Sequence, residues 1–363
     1  MVLSSPLPSA AQGAYAELTE VARQQELARS VENLSGSFNR KVVKDIPYWY
    51  YQFTDAAGGG TRQIFVGRDD EKVRALVEKS RLRDTRALDS MAKAAISLGC
   101  SATTPAHFRI IRRLNEIGFF KAGGVLIGAH AFLAYGNALG VSWSELARTQ
   151  DIDFAHAGRN ISLAVTDGLT INAGDALASL EAGFLPVPGF RPWDKTARFV
   201  SKVDKQLRVD FLTPLVGGKG EVYEHPVLGI HLQPIHFLEF ILEDIHQAAI
   251  ISAVGVAMVN LPDPARFALH KLLVFADRRA RNPAKALKDL RHAAGLLEVM
   301  ATFRRDDVLG LWKDLLKRGA GWRDRARKGL TALDDLTPEM PLLPAMKKAV
   351  PSATRPRSSP RGG

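Results

Sequence analysis

TQDIDFAHAG, residues 149–158, places two aspartates, Asp151 and Asp153, one residue apart in an apolar run. Ile152 and Phe154 alternate with the carboxylates, and this alternation predicts a β-strand. Residues two apart on a strand lie on one face, about 7 Å apart, so the carboxylates repel by about 2 kcal/mol at an effective dielectric constant of about 20. A divalent cation such as Mg²⁺ would convert this repulsion into attraction. A solvated strand end, or ion pairs with distant arginines, explains an isolated Asp-x-Asp pattern more simply.

The composition is that of an ordinary globular protein. The 363 residues suffice for two domains and a small third. The single cysteine, Cys100, has no internal disulfide partner, which favours a reducing compartment. The N-terminus lacks the features of a signal peptide, and the longest apolar stretch, residues 248–259, is too short to span a bilayer. We therefore expect a soluble, cytoplasmic protein with no membrane partner.

The net charge of +11 is unevenly distributed along the chain. Residues 1–260 contain 27 basic and 27 acidic side chains, whereas residues 261–363 contain 22 basic and 11 acidic ones. The whole excess of positive charge therefore lies in the last 103 residues. This asymmetry favours a polyanionic partner for the C-terminal part. A basic helical surface without such a partner explains it equally well.

A pair of glycines precedes the aspartates. Residues 119–122 are short and apolar and are predicted to form a strand, Gly123 and Gly124 a turn, and residues 125–137 a helix. A strand, two glycines and a helix expose backbone amides at a helix N-terminus, where anions bind readily.

A third carboxylate follows the aspartate strand. Residues 197–202 and 207–213 are predicted to form a β-hairpin whose second strand carries Asp210. This strand is expected to pair with the strand of Asp151 and Asp153. We expect Arg208 to lie on the opposite sheet face from Asp210 and to leave its charge uncompensated.

The two ends of the chain differ in character. Aromatic and β-branched runs at residues 47–53 and 62–67 flank a glycine-rich segment, which predicts a β-hairpin. Residues 264–328 are helical in pattern, with a break at Asn282 and Pro283.

The order of these features resembles the nucleotidyltransferase superfamily, whose fold is that of DNA polymerase β. The superfamily pattern is a glycine turn, two aspartates in alternation with apolar residues, and a third acidic residue on a later strand. The matching residues are Gly123 and Gly124, then Asp151 and Asp153, then Asp210. A poorly characterised bacterial group is most similar, with its Gly-Gly segment, its T-x-DID motif and a later HKL motif. The abortive-infection toxin nucleotidyltransferases resemble the chain more distantly.

The resemblance implies an α+β fold in which helices flank a mixed sheet. The nucleotidyltransferase core would cover residues 105–262, after an N-terminal helical region with a β-hairpin at residues 1–104. A C-terminal helical domain would follow at residues 263–345, and a disordered basic tail at residues 346–363. Asp151 follows Gly124 by 27 positions, which is more than the usual spacing, and part of this segment resembles an insertion.

The resemblance also implies the chemistry. Asp151, Asp153 and Asp210 would hold Mg²⁺ (or Mn²⁺), and Asp210 would also be catalytic, since it would help to activate the attacking hydroxyl. The nucleoside triphosphate (NTP), ATP for example, would contact four residues: Gly123, Gly124, Thr149 and Lys271. Lys271 is equally well explained as a surface lysine, and we expect His130 to be a packed or surface histidine.

The implied reaction moves a nucleoside monophosphate (NMP) from an NTP to an acceptor hydroxyl. The basic C-terminal region favours tRNA or another RNA as the acceptor, with a protein or a small molecule as alternatives. A toxin of a defence system, with an antitoxin partner, is a second interpretation. A non-catalytic nucleic-acid-binding protein on the same fold is a third.

Overall fold

The structure is a computed structural model. It describes residues 3–32, 36–43, 45–54, 61–74, 77, 85–143, 149–157, 172–180, 183–187, 195–215, 220–226 and 228–351. The chain forms two compact units, Ser4–Pro262 and Asp263–Gly363, the second of which includes Met1–Leu3. Among the described residues, every helix is too short or too polar to cross a lipid bilayer.

The first unit contains fourteen strands and six helices within its described residues. The strands are β1 (Ser4–Pro6), β2 (Gly36–Val43), β3 (Ile46–Thr54), β4 (Thr61–Arg68), β5 (Val125–Ile127), β6 (Val141–Trp143), β7 (Asp151–Ala155), β8 (Phe184–Pro186), β9 (Arg198–Ser201), β10 (Arg208–Pro214), β11 (Tyr223–His225), β12 (Ile230–Ile235), β13 (Ile245–Ser252) and β14 (Gly255–Pro262). The helices are α1 (Ser9–Glu32), α2 (Thr85–Ser97), α3 (Pro105–Glu116), α4 (Gly128–Leu139), α5 (Ala173–Ala178) and α6 (Leu238–Ile241).

A seven-stranded mixed sheet forms the centre of this unit. The main strand order is β11-β12-β10-β7-β5. Strand β9 lies outside this order and pairs with β10 and with β8. Strand β10 is parallel to β7 and β12, whereas β9 and β5 run antiparallel to their neighbours β10 and β7. The predicted α+β class, the hairpin of β9 with β10 and the pairing of β10 with the aspartate strand are confirmed. The polymerase-β-like topology stays a prediction.

One face of the central sheet packs into an aromatic core. The alternate residues Ile152, Phe154, Val209 and Phe211 are all fully buried. The rings of Phe154 and Phe211 stack with centroids 5.6 Å apart, and Phe119 contacts both edge-on. Aromatic residues bury about 150–250 Å² each, so this cluster is a large part of the hydrophobic stabilisation. Because strand side chains alternate, burial of this face leaves the residues between them on the other face.

The element order around the two glycines differs from the prediction. Residues 119–122 form a turn rather than a strand, and β5 follows the glycines, so the helix begins only at Gly128. A Cβ on Gly124 would collide with the ring of Phe119. Gly124 is therefore required because the phenyl ring folds back over the turn into the core. Apolar residues 125–127 fit a buried strand as well as a helix, and periodicity cannot separate the two.

The N-terminal residues share a core with a later hairpin. Strands β13 and β14 pair along their whole length, and their apolar side chains pack against α1 and α2. The Tyr15 hydroxyl also donates to the Ala249 carbonyl, at 2.9 Å. Separately, β2, β3 and β4 form a three-stranded antiparallel sheet, one strand more than the predicted hairpin.

The second unit is helical in its described part. Its helices are α7 (Pro264–Arg278), α8 (Pro283–Phe303), α9 (Arg305–Lys317), α10 (Ala320–Leu336) and α11 (Leu343–Ala349). The predicted break is confirmed, since Asn282 caps α8 and Pro283 begins it. The assignment of residues 346–349 to a disordered tail is wrong, because Met346 is fully buried in α11. Residues 352–363 of the predicted tail lie outside the described residues.

A buried charge cluster joins α7 to α8. Asp289 accepts hydrogen bonds from Lys271 Nζ and from Arg278 Nη1, each at 2.6 Å. Burial by itself raises the pKa of Asp289, but the charges and hydrogen bonds of Lys271 and Arg278 outweigh it and lower the pKa to about 2. The ammonium of Lys271 is itself buried, so each charge of the pair depends on the other for compensation.

We predict that Asp289→Ala destabilises the protein by about 3–5 kcal/mol, because it leaves a buried ammonium without its carboxylate. The lowered pKa gives this contribution a pH dependence. It is present above the unfolded-state pKa of about 4 and is lost as the pH falls towards the folded-state value of about 2. Denaturant unfolding at pH 7 measures the loss. Asp324→Ala is the control, since its pair with Lys328 is exposed to solvent and contributes little to stability.

Candidate active site

Three carboxylates lie on one face of two neighbouring parallel strands. Asp153 on β7 is the Cα partner of Asp210 on β10, and Asp151 is the partner of Arg208. Because partners in register share a face and residues two apart do so too, Asp151, Asp153 and Asp210 form one half-exposed group. The prediction that Arg208 lies on the opposite sheet face from Asp210 was wrong for the same reason. It is two residues from Asp210 and therefore lies on the carboxylate face.

An arginine compensates the charge of the third carboxylate. Arg198 on β9 is the Cα partner of Asp210 from the other side. Its Nε donates to Oδ1 of Asp210 at 2.6 Å and its Nη2 to Oδ2 at 3.0 Å. The hydrogen bond with Asp210 raises the pKa of Arg198, and the charges of Asp210, Asp151 and Asp153 add to the effect. The guanidinium therefore lies in the field of all three carboxylates.

The glycine beside the carboxylates is Gly128. It joins β5 to α4 with a φ of 71°, and a Cβ there would collide with Oδ2 of Asp153. The preceding residue, Ile127, is the Cα partner of Asp153 and gives α4 no side-chain cap. The first amides of a helix have no partner within the helix. The backbone at Gly128 therefore brings a helix N-terminus up to the carboxylate group.

Gly123 and Gly124, predicted to form the phosphate turn, lie elsewhere. They precede Val125, which pairs with Ala155 at the end of β7 away from Asp151. Both glycines are buried, and Asn260 Nδ2 donates to the Gly124 carbonyl at 2.9 Å. The short β5 separates them from the start of α4 and from the carboxylates, so they do not open the helix as predicted. Their contact with a nucleotide stays a prediction.

Thr149 supports the start of β7. Its Oγ1 accepts from the amide of Asp151 at 3.2 Å and also lies 3.1 Å from the Asp151 carbonyl oxygen. These local contacts help to fix the backbone conformation at Asp151. Lys271, the other predicted nucleotide ligand, lies in the helical unit, where it binds Asp289. Direct contact of either residue with a nucleotide stays a prediction.

Two histidines pair within the same unit. Nδ1 of His107 on α3 lies 2.9 Å from Nε2 of His130, two residues after Gly128, and their rings meet edge to face. Burial lowers the pKa of His107, while the charges of Asp204 and Asp151 oppose the effect. His107 therefore lies within electrostatic range of the first aspartate. His130 is the packed residue that we expected.

The sequence interpretation missed Gly128, Arg198 and His107. A local signal existed for Gly128, which follows three apolar residues and opens a helical pattern. Arg198 faces Asp210 only in the register that the hairpin adopts, and the predicted strand bounds do not fix that register. His107 carries no comparable signal, because its neighbour His130 is 23 residues away in the chain.

The carboxylate group suits a hard cation in its donor chemistry. No cluster of three or more His, Cys, Asp or Glu side chains within the described residues is arranged to hold a metal ion, and both oxygens of Asp210 face Arg198. Mg²⁺ does not require a complete protein cage. It is typically held by one or two carboxylates together with substrate phosphates and water. Carboxylate oxygens from neighbouring strands therefore fit it.

A family model described as Nucleotidyltransferase matches residues 106–317. The match includes β5, α4, β7, β9 and β10, and hence the three aspartates, Gly128 and Arg198. Comparisons with curated proteins and with solved structures each found no match. Since the family model covers more than half of the 363 residues, the chain belongs to this nucleotidyltransferase family.

Proposed function

We propose that the protein moves an NMP from an NTP to an acceptor hydroxyl at the face formed by β7 and β10. The observation that carries the proposal is the register of Asp153 with Asp210, which gathers three carboxylates on one sheet face within the family match. A sheet face with three carboxylates and a glycine-opened helix beside it can bind a triphosphate together with its cations.

Each residue of the carboxylate face would have its own role in the reaction. Asp151 and Asp153 would hold Mg²⁺ (or Mn²⁺), and Asp210 would hold it on the acceptor side. When bound, the metal neutralises phosphate charge and lowers the pKa of a coordinated hydroxyl. The amides at the start of α4 would donate hydrogen bonds to phosphate oxygens, since a helix N-terminus carries partial positive charge. The acceptor oxygen bonds to the α-phosphorus as the bond to pyrophosphate breaks, and the hydroxyl proton passes to water, so atoms and charges balance without a further reactant.

Arg198 gives the face a cation of its own. Because its guanidinium binds both oxygens of Asp210, the carboxylate is held in place with its charge compensated when the substrate is absent. In the proposed reaction Arg198 would release Asp210 to the metal, and a guanidinium so placed can then bind phosphate oxygens.

RNA is the acceptor that the charge distribution favours. Among the arginines of α10, Arg325 binds Asp277 and Arg327 binds the carbonyl of Pro351, so both help to hold the helical unit together. Lys313 and Lys317 on α9 are exposed and are one turn apart. They are the better candidates for phosphate contacts.

We predict that Asp153→Asn lowers NMP transfer at least about 100-fold, since charge stabilisation at a reacting centre has effects of this size. The free energy of unfolding should hold or rise slightly, because repulsion from Asp151 falls. Transfer of label from α-³²P-NTP to total RNA, measured with Mg²⁺, tests this. Asp306→Asn, an exposed change on α9, is the control. Full activity in Asp153→Asn would contradict the assignment of Asp153 to the metal.

We predict that Gly128→Ala lowers transfer at least about 10-fold, because the added Cβ displaces the Asp153 carboxylate. Gly140→Ala is a matched control at the other end of the same helix. Gly140 has the same φ of 71°, but its Cβ would meet the Gln12 side chain, at 2.8 Å. Both variants should lose about 1–2 kcal/mol of stability from backbone strain. Equal loss of activity in both would remove Gly128 from the site.

We predict that the double variant Lys313→Glu, Lys317→Glu raises the KM for RNA and leaves the KM for NTP unchanged. RNA binding by the wild type should weaken steeply with salt, since each neutralised phosphate releases counterions. The variant should show a shallower slope of log Kd against log salt. Filter binding with tRNA over a salt series measures it. A flat response in the wild type would exclude RNA and leave a protein or a small molecule as the acceptor.

A further inference from the structure

The three-stranded sheet of β2, β3 and β4 has one closed face and one open face. On the closed face the carboxylate of Asp69 accepts hydrogen bonds from Trp49 Nε1 at 2.9 Å, Arg40 Nε at 2.8 Å and Arg74 Nε at 2.6 Å. Trp49 and the Asp69 side chain are almost completely buried. This face is therefore closed by side chains of residues 40–74 themselves.

The open face carries a group of aromatic rings. Tyr48 and Tyr50 on β3 both contact the ring of Phe65 on β4, with centroids 5.7 and 5.6 Å apart. Phe65 is 58% exposed, an unusual exposure for an aromatic ring at the centre of a strand. Large exposed apolar groups that cluster mark interaction sites.

Polar and basic side chains surround these rings. Gln52 accepts from Asn39 Nδ2 at 3.0 Å and from Gln63 Nε2 at 2.9 Å, and Lys41 Nζ donates to Gln63 at 2.6 Å. The Lys41 ammonium also lies 5.5 Å from the centre of the Tyr50 ring. The strand register adds exposed Arg68 opposite Tyr48.

The charge of this face has one sign. The described strands β2, β3 and β4 contain no Asp or Glu, and their register places Lys41 and Arg68 on this face. Stacking rings, amides and cations without a carboxylate are complementary to a polyanion that has flat, unpaired bases. A duplex hides its base faces, so a single strand fits these rings better than a duplex does.

We propose that the aromatic face, made of Tyr48, Tyr50, Phe65, Lys41 and Arg68, binds single-stranded nucleic acid by stacking bases on its rings. Proteins that bind single strands combine such rings with a positive surface that follows the backbone. The three amides would bind base edges, since each offers donors and an acceptor. This sheet lies outside residues 106–317 of the family match, so it is a binding surface in addition to the proposed transfer site.

Fluorescence anisotropy of the full chain with a labelled single-stranded RNA of about 12 nucleotides, without NTP, tests the proposal. Phe65→Ala should weaken binding about 5- to 150-fold, the effect of one lost stacking contact. The slope against salt should stay unchanged, because no charge is removed. Phe65→Tyr, which keeps an aromatic ring, should bind the RNA as tightly as the wild type. Phe303→Ala, which removes another exposed ring (56%) in the helical unit, is the matched control.

Four results would overturn the proposal. These are unchanged binding in Phe65→Ala, an equal loss in Phe303→Ala, equally tight binding of a blunt RNA duplex, and binding of a neutral oligosaccharide in place of RNA. Far-UV circular dichroism confirms that each variant is folded. Because the assay contains no NTP, its outcome is independent of the transfer activity. RNA binding without transfer would contradict only the proposed reaction. Transfer together with unchanged RNA binding in Phe65→Ala would contradict only this proposal.

Discussion

Repulsion among three carboxylates on one sheet face is the constraint on which the candidate site depends. Asp151 and Asp153 share a strand, and Asp210 lies beside Asp153 on the next strand. Such a group is stable only if cations compensate it. Arg198 does so for Asp210 in the protein alone, through two hydrogen bonds in a planar geometry that fits a carboxylate. In the proposed reaction the metals and the substrate replace this cation. Arg198 would therefore compensate the charge of Asp210 without blocking access of the metal to it.

The backbone is as important to this site as the charges. Gly128 has a left-handed conformation and no side chain at the point where a Cβ would meet Asp153. A strand that ends there and a helix that begins there bring amides to the carboxylate face. The buried aromatic contacts of Phe119, Phe154 and Phe211 lie behind this face and fix the two strands in register. Rigid strands place catalytic groups more accurately than loops do.

Charged residues in this chain serve both stability and function, and motifs alone do not separate the two. Lys271 belongs to a segment that resembles a family motif, yet its ammonium is bound to Asp289 inside the helical unit. Arg325 and Arg327 belong to α10, which has more basic side chains than any other described helix. They nevertheless bind Asp277 and the carbonyl of Pro351. The exposed Lys313 and Lys317, and the aromatic face of β2, β3 and β4, are the surfaces proposed to contact a polyanion.

The sequence by itself determined the features that depend on neighbours in the chain. These are the aspartate strand, the hairpin that carries Asp210 and the helix start at Pro283, because alternation and capping act within a few residues. Only the tertiary structure decided which glycine meets Asp153, that Arg198 binds Asp210, that His107 meets His130 and that Asp289 holds Lys271. Gly128 and Asp153 are 25 residues apart, and the other pairs are 12 to 23 apart. Such contacts form when strands and helices pack together, and the local sequence patterns of alternation and capping do not specify that packing.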